Sequence, residues 1–369
     1  MKPIPRAHRL AYAAAHVAMR ASYRALGRTA ARPSAPTEIL EHLDWEATLG
    51  IRRHLAAHGL GVAEAMDTAQ RFEIGWPVAQ ELIARCGALQ LSHGFCAGAG
   101  TDQRAAVRGP ADLVDAVVEQ CAFITAHGGI PVILPMPWLS QSRADPRAYV
   151  EVYGSIFQQV RGPVIVHWLG PMFLPALKDY FPGDSFSQVM ALDPRKARAC
   201  KLSLLDAALE VRIRRELLPR DQFVLTGDDF HFARLILGGD AAATIPAPAL
   251  PPTVMRWTEF AGQLVALGDF SHALLGILDA IAAPASRALT ALTRNDAADF
   301  LRIMQPCEEL GQWLFQPPTS SYKAGLAHLA WRNGLQPEFL LPNGAEALRD
   351  PAHLARAMEL ARAAGALPR

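Results

Sequence analysis

The sequence predicts an α/β protein built as a closed (β/α)8 TIM barrel with a helical C-terminal extension. Its candidate strands are continuous apolar runs, not alternating ones, as in parallel strands that are covered on both faces. Most of these runs are followed by a segment with helical periodicity. An open doubly wound sheet is the alternative, but no G-x-G-x-x-G motif opens a helix after an early strand to support it.

Eight strands fit the chain if residues 12–18 form the first and residues 273–277 the last. The other six are expected at residues 60–65, 91–97, 130–134, 163–166, 200–203 and 223–225. Helices are expected between them at residues 44–58, 76–86, 110–127, 146–160 and 204–217. The extension is expected to contain helices at residues 284–292, 296–304, 307–315, 322–333 and 351–364.

Three regions follow from this order. Residues 1–37 are a basic N-terminal segment that includes the first strand, residues 38–280 form the barrel, and residues 281–369 form the helical extension. Residues 240–270, rich in alanine and proline, are expected to be an insertion, either a lid or interface element or tolerated surface. The basic, acid-free residues 1–37 also suit a transit peptide, but we favour a first core segment followed by an exposed stretch.

The composition excludes several classes of protein. A formal net charge of +1 provides no global field for binding nucleic acid or an anionic membrane. No uninterrupted apolar run approaches the roughly 18 residues that span a bilayer. The five cysteines are scattered without a C-x-x-C pair, which argues against a disulfide scaffold or a structural zinc site. A cytoplasmic protein is therefore expected.

Polar residues follow the predicted strands at the end where a (β/α)8 barrel carries its active site. The candidate substrate-binding residues at these strand ends are Glu64, Asp67, Thr68, Gly100, Thr101, Asp102, Ser203, Thr226, Asp228 and Asp229. One of the last two acids could cap a helix while the other lines the site. Trp138 and Trp168 are candidate walls of a sugar-sized pocket, although a buried core position is the more common fate of tryptophan.

Lys201 is the candidate catalytic nucleophile, because it stands alone in the apolar run at residues 199–205. Burial disfavours an ammonium and lowers its pKa from about 10.4 toward neutrality. The neutral amine could then attack a carbonyl and form a Schiff base. The plainer alternative is a strand-end lysine paired with a carboxylate. His167, expected on the neighbouring strand, is the candidate proton shuttle, with a buried core histidine as its alternative.

Two further interpretations use the same residues. Glu64, Asp67, His167 and Asp228 could hold a divalent metal for an enolising aldolase or isomerase, although no local ligand motif such as H-x-H supports this. A non-catalytic, ligand-binding barrel would keep the pocket without needing a lysine of low pKa.

Four stretches carry a resemblance to a known family, namely residues 59–70, 97–103, 226–230 and 273–277. The chain resembles the dihydrodipicolinate synthase and N-acetylneuraminate lyase superfamily of Schiff-base aldolases, and within it an uncharacterised domain-of-unknown-function branch. The resemblance runs from about Tyr12 to the C-terminal helices and places the imine-forming lysine of that superfamily on Lys201. Residues 226–229 resemble its Ser-Gly-Asp-Asp segment, and residues 318–323 its late Pro-x-x-x-x-Lys helix.

The resemblance implies a lyase or aldolase that uses a covalent lysine imine and no other cofactor, in a homo-oligomer with a small carbonyl compound as its partner. The reaction would be retro-aldol cleavage, condensation or dehydration of an oxo-acid or oxo-sugar. Two features differ from the superfamily. Its Gly-Thr-Thr-Gly-Glu loop, which grips a carboxylate, is replaced by the acidic residues 64–68, and its strand-five tyrosine falls on His167. A neutral polyol or oxo-sugar is therefore as well supported as a 2-oxo acid.

Overall fold

The computed structural model describes residues 6–240 and 250–367. Within these residues the strands are β1 (Arg6–Ala7), β2 (Ala11–Ala14), β3 (Gly61–Glu64), β4 (Phe95–Ala99), β5 (Ile130–Ile133), β6 (Ile165–Leu169), β7 (Ala199–Ser203), β8 (Phe223–Thr226), β9 (Arg256–Phe260), β10 (Gln263–Leu267) and β11 (His272–Leu275). The α-helices are α1 (Pro36–His42), α2 (Trp45–Ala57), α3 (Arg71–Ala88), α4 (Pro110–Ala126), α5 (Pro137–Gln141), α6 (Pro146–Gln159), α7 (Ser185–Leu192), α8 (Ala207–Leu217), α9 (Phe232–Leu237), α10 (Ala282–Thr293), α11 (Ala297–Leu314), α12 (Tyr322–Arg332) and α13 (Pro351–Ala363).

Eight of these strands close into a parallel barrel in the order β11-β2-β3-β4-β5-β6-β7-β8. The first and last barrel strands pair directly, with Ala273 opposite Ala11. Asp44 caps α2, since its carboxylate accepts a hydrogen bond from the Ala47 amide at 3.0 Å. The predicted (β/α)8 barrel with a helical C-terminal extension is confirmed.

The barrel interior is a small apolar core, separate from the larger core between the strands and the surrounding helices. Alternate residues of each strand point inward, so Ala199 and Lys201 of β7 share the interior face with Ile165 and His167 of β6. Their neighbours Cys200 and Val166 pack outward. This alternation decides which polar residues can reach the centre of the barrel.

The described part of the 240–270 insertion lies at the amino-terminal end of the barrel. There β10 pairs antiparallel with β9 and parallel with β1, which directly precedes β2. Phe260 and Leu267 pack against Phe223 and Leu10 at the bottom of the barrel core. Residues 250–270 therefore close the end opposite to the expected active site. The rest of the insertion, at residues 241–249, lies outside the described residues.

The C-terminal extension begins with α10 and packs on one side and on the top of the barrel. The two helices expected at residues 296–304 and 307–315 are a single helix, α11, that continues through Pro306. The prediction of a break was wrong, because buried Phe300, Met304 and Leu310 form one apolar face that spans the proline. No α-helix in the described residues has the length and hydropathy that a membrane crossing requires.

Candidate active site

Lys201 lies near the carboxyl end of β7 with its side chain inside the barrel and 8% exposed. Burial lowers the pKa of its ammonium to about 8, although Asp229 and Asp67 partly offset this effect. Gly227, directly after β8, leaves room for the lysine, since a Cβ there would lie 3.0 Å from Lys201 Cε and 2.2 Å from Ser203 Oγ. The strand positions an amine that is partly neutral near physiological pH.

Asp229 is the carboxylate that faces Lys201 within the barrel mouth. One of its oxygens accepts a hydrogen bond from the Ile277 amide at 3.0 Å, which fixes the side chain over the carboxyl end of β8. Burial raises the pKa of Asp229 to about 7, while the Ile277 hydrogen bond and Lys201 act in the opposite direction. A carboxyl group with this pKa can both accept and release a proton at neutral pH.

Asp67 anchors the C-terminal extension over the barrel mouth. Its Oδ1 lies 3.0 Å from Lys323 Nζ, and its Oδ2 accepts a hydrogen bond from Tyr322 Oη at 3.0 Å. Thr68 Oγ1 lies 2.9 Å from the same phenol oxygen. Burial disfavours the Lys323 ammonium, but Asp67 and Glu73, 3.7 Å away, outweigh burial and raise its pKa. This cluster, Asp67–Thr68–Tyr322–Lys323, is called the roof clamp below.

Aromatic rings complete the roof. The Tyr322 ring stacks on Phe315, with ring centroids 4.1 Å apart and an interplanar angle of 16°. Phe173 approaches Tyr322 edge-on at 6.4 Å. Stacked aromatic pairs contribute about 0.5–1.5 kcal/mol beyond their buried area, so they help to hold the phenol in place.

A small cavity of about 20 Å³ remains between Lys201 and the roof clamp, enough for about one water molecule. Its lining combines polar groups from the barrel with aromatic groups from the roof. The lining residues are Ala14, Met66, Asp67, Thr68, Leu169, Phe173, Lys201, Ser203, Asp229, Gly276, Phe315 and Tyr322. Of the predicted site residues, Asp67, Thr68, Lys201, Ser203 and Asp229 meet here.

His167 lies beside Lys201 in the strand register, below the cavity and fully buried. Its Nε2 is 3.2 Å from Ser203 Oγ, and its Nδ1 has no hydrogen-bond partner in the described part of the chain. Burial and then the charge of Lys201 lower its pKa well below 6.5. His167 is therefore a neutral imidazole that contacts the cavity residue Ser203, and its role as a proton shuttle stays a prediction.

Three of the predicted residues face away from the cavity. Glu64 points outward and forms a buried ion pair with Arg52 of α2 at 2.8 Å. Thr226 donates a hydrogen bond to Glu210 of α8 at 3.0 Å. Asp228 accepts hydrogen bonds from the amides of residues 230 and 231 and contacts the His231 ring at 3.0 Å, so it holds its own loop together.

The loop after β4 forms a separate polar cluster. The Asp102 carboxylate lies 2.6 Å from Arg71 and 3.0 Å from the Gln120 side-chain amide. The Gly100 amide donates to Gln120 Oε1 at 2.6 Å, and Thr101 lies half-buried between the two loop residues. None of these three predicted loop residues lines the cavity.

Neither candidate tryptophan lines the cavity. Trp168 packs on the outer side of the barrel against Phe186 at 4.8 Å and Phe181 at 5.4 Å. Trp138 is half-buried on α5 and packs on the outer core. Both tryptophans contribute to the packing of the surrounding helices.

The four side chains considered as metal ligands are dispersed. Glu64 binds Arg52, Asp67 binds Lys323, Asp228 binds its own loop, and His167 lies within the barrel. Within residues 6–240 and 250–367, no group of three or more His, Cys, Asp or Glu side chains is placed to hold a metal ion. These residues do not fit a divalent-metal site.

Sequence reasoning missed Tyr322 as a site residue and did not place Lys323 in the site. Both lie at the start of α12, more than 250 residues from their partners at Asp67 and Thr68. The late Pro-x-x-x-x-Lys phrase at residues 318–323 was the signal that could have identified them.

Comparisons with known proteins agree with this architecture. Dihydrodipicolinate synthase from Oceanobacillus iheyensis superposes with a TM-score of 0.64 at 12% identity, covering 96% of this chain and 95% of that one. The synthase from Agrobacterium tumefaciens gives a TM-score of 0.62 at 15% identity over 97% and 98% of the chains. N-acetylneuraminate lyase from Fusobacterium nucleatum gives 0.59 at 13% identity over 96% and 97%.

These similarities establish the shared barrel fold and confirm the resemblance expected from the sequence. No curated protein sequence matches this chain. The sequence profile of the family described as "Protein of unknown function (DUF993)" matches residues 1–369. The chain therefore belongs to the DUF993 family.

Proposed function

We propose that the protein is a Schiff-base-forming lyase or aldolase in which Lys201 bonds covalently to a small carbonyl substrate. The observation that carries this proposal is the buried Lys201 amine with a pKa of about 8 at the carboxyl end of a barrel strand. At pH 7.5 roughly a quarter of such an amine is neutral, compared with about one part in a thousand at its ordinary pKa. Only the neutral form is a nucleophile.

Imine formation needs proton transfers as well as a nucleophile. The Lys201 nitrogen attacks the carbonyl carbon, the carbonyl oxygen gains a proton, and the resulting carbinolamine loses water to give the iminium. Asp229, with a pKa of about 7, lines the same cavity and is the group that we assign to take and return these protons. We assign a supporting role to the Ser203 hydroxyl, which lines the cavity, can hydrogen-bond to the carbinolamine oxygen, and lies 3.2 Å from Nε2 of the neutral His167 ring.

The fold adds support by analogy. Solved structures of the same fold are dihydrodipicolinate synthases and N-acetylneuraminate lyases, and the structure of the Fusobacterium nucleatum lyase contains pyruvate. Because one fold can host many reactions, the site must carry the proposal. The expected homo-oligomer, the cytoplasmic location and the direction of the reaction stay predictions.

Borohydride trapping tests the proposal directly. The protein is incubated with a panel of small oxo-acids and oxo-sugars, reduced with borohydride, and examined by intact-mass and peptide mass spectrometry. We expect one stoichiometric adduct, located on Lys201. Lys201→Met is expected to lose it. Lys323 is an internal control, because it is also buried but its raised pKa keeps it protonated. Absence of an adduct across the whole panel would contradict the proposal.

A further inference from the structure

We propose that the substrate is a small, neutral, hydroxylated aldehyde or ketone and not a 2-oxo acid. This inference rests on the proposed function, because it concerns the compound that Lys201 would bind. It follows from the charges and hydroxyl groups that surround the cavity.

The cavity has no free cation for a substrate carboxylate. Among its described lining residues, Lys201 is the one cation, and Asp67 and Asp229 are carboxylates. When Lys201 becomes an iminium its positive charge remains beside Asp229, which serves as its counter-ion. A substrate carboxylate would therefore bring a third negative group into a buried space, where an unpaired charge is strongly disfavoured.

The nearest other cations are already engaged. Lys323 is held by Asp67 at 3.0 Å and by Glu73 at 3.7 Å, so pairing it with a substrate would leave a buried Asp67 with weaker compensation. Arg71 binds Asp102 at 2.6 Å and Gln120 at 2.7 Å, and it is not among the residues that line the cavity. Neither side chain is free to bind a substrate carboxylate next to Lys201.

The same lining suits hydroxyl groups. Three hydroxyls line the cavity, from Thr68, Ser203 and Tyr322. The Tyr322 hydroxyl donates to Asp67 and offers a substrate its lone pairs, whereas the Thr68 and Ser203 hydroxyls can rotate to donate or accept a hydrogen bond. The carboxylates of Asp67 and Asp229 can accept charge-assisted hydrogen bonds from substrate hydroxyls. A hydroxylated carbonyl compound would thus exchange its bonds to water for bonds to the protein, without adding charge.

The size of the cavity limits the substrate as well. A space of about 20 Å³ has room for about one water molecule, so any larger ligand must shift the roof. Phe315 and Tyr322 of the roof belong to the C-terminal extension, whereas the floor is barrel strand. Small compounds with a few hydroxyls require the least displacement.

Three ketones of three carbons separate the alternatives, because all carry the carbonyl at the central carbon. Dihydroxyacetone has two hydroxyls, acetone has none, and pyruvate has a carboxylate. The concentration that gives half-maximal borohydride adduct on Lys201 is measured for each, and trapping of N-acetyl-lysine corrects for intrinsic reactivity. We expect dihydroxyacetone to reach half-saturation at a concentration at least about tenfold lower than either of the others.

The outcomes distinguish this inference from the function on which it rests. If pyruvate is trapped on Lys201 at the lowest concentration, the Schiff base stands and the neutral substrate is rejected. If dihydroxyacetone and acetone behave alike, recognition of hydroxyls is rejected. If none of the three, nor any other member of the panel, modifies Lys201, both the inference and the proposed function are rejected.

Variants of the cavity residues test whether the lining hydroxyls recognise the substrate hydroxyls. Thr68→Val and Ser203→Ala each remove one hydroxyl, and each is expected to reduce the preference for dihydroxyacetone over pyruvate roughly three- to tenfold. Thr290→Val, on the exposed face of α10, is the matched control and should leave that ratio unchanged. Thermal melting of each variant shows whether it is folded. Equal ratios in folded Thr68→Val, Ser203→Ala and the parent protein would overturn the inference.

Discussion

Lys201 and Lys323 are two buried lysines at the same end of the barrel, yet their pKa values shift in opposite directions. Lys201 comes from the barrel wall and is 8% exposed, while Lys323 comes from the C-terminal extension and is 3% exposed. Lys323 has carboxylate oxygens at 3.0 and 3.7 Å, whereas the described residues give Lys201 no ion pair within 4.0 Å. Burial alone therefore does not make a nucleophile.

The difference lies in the balance between desolvation and pairing. Taking an ammonium out of water lowers its pKa, and a close carboxylate restores it. At Lys323 the two acids prevail, and the lysine anchors the roof. At Lys201 desolvation prevails, because Asp229 is itself buried, with a pKa of about 7, and only partly charged at neutral pH.

Replacing each lysine in turn should give the largest contrast. Lys201→Met should abolish turnover and imine trapping while the protein stays folded, because a buried ammonium is replaced by an apolar chain of similar length. Lys323→Met should retain trapping at Lys201 but lose about 3–5 kcal/mol of stability, since Asp67 loses its partner. Intact-mass analysis and thermal unfolding measure the two effects. Trapping at Lys323 in Lys201→Met would reverse the assignment.

The pH dependence of imine formation should report the Lys201 pKa. The reactive form is the neutral amine, which is populated above the pKa, so the rate should rise with pH and level off above about pH 9. With a pKa of about 8, the neutral fraction grows about fiftyfold between pH 6 and pH 8. Borohydride quenching at timed intervals measures this rate. A midpoint near 10.5 would show an ordinary, solvated lysine.

Removing Asp67, the partner of Lys323, should bring the pKa values of the two lysines closer together. Asp67→Asn deletes the carboxylate at 3.0 Å and leaves only Glu73 at 3.7 Å, so the Lys323 pKa should fall. We expect a second, slower borohydride adduct on Lys323 in this variant, seen by peptide mapping at pH 9. Glu73→Gln is the matched control and should add little, because the closer Asp67 remains. A single adduct in Asp67→Asn would mean that Lys323 is unreactive for another reason.

The smallest effect is expected at the Ser203–His167 contact. Both side chains stay neutral, and the hydrogen bond between them is 3.2 Å long, so we expect His167→Phe to slow imine formation by about fivefold or less. The Lys201 midpoint should rise slightly if the ring is partly protonated and stay unchanged if it is neutral, as its lowered pKa implies. A loss as large as that of Lys201→Met would make His167 the principal proton carrier.

The sequence was sufficient to predict the barrel and to place Lys201 near the carboxyl end of a barrel strand. Continuous apolar runs followed by helical periodicity require parallel strands, and a lone lysine in such a run stands out against its neighbours. It could not show which way each strand side chain points. Both faces of these strands are apolar, so the sequence does not show which side chains point into the barrel. Lys201 and His167 point inward, whereas Glu64 and Trp168 point outward.

The roof clamp and the β9–β10 hairpin at the amino-terminal end of the barrel could not be predicted from the sequence for another reason. The clamp joins Asp67 to Tyr322 and the hairpin joins Arg6–Ala7 to β10, each across more than 250 residues. Such contacts depend on tertiary packing and leave no local periodicity in the chain. Only residues 318–323 gave a partial indication of the roof.

Closure of the barrel through β2 and β11 has a consequence for synthesis on the ribosome. The Leu10 amide donates a hydrogen bond to His272 Nδ1 at 2.8 Å across 262 residues, so the first barrel strand cannot complete its pairing until the last barrel strand, β11, has been synthesised. At roughly 5–20 residues per second, that interval is about 13–50 s, and the apolar edge of β2 stays unpaired throughout it. The nascent chain is thus exposed to aggregation until β11 has been synthesised, and chaperone protection matters most over that interval.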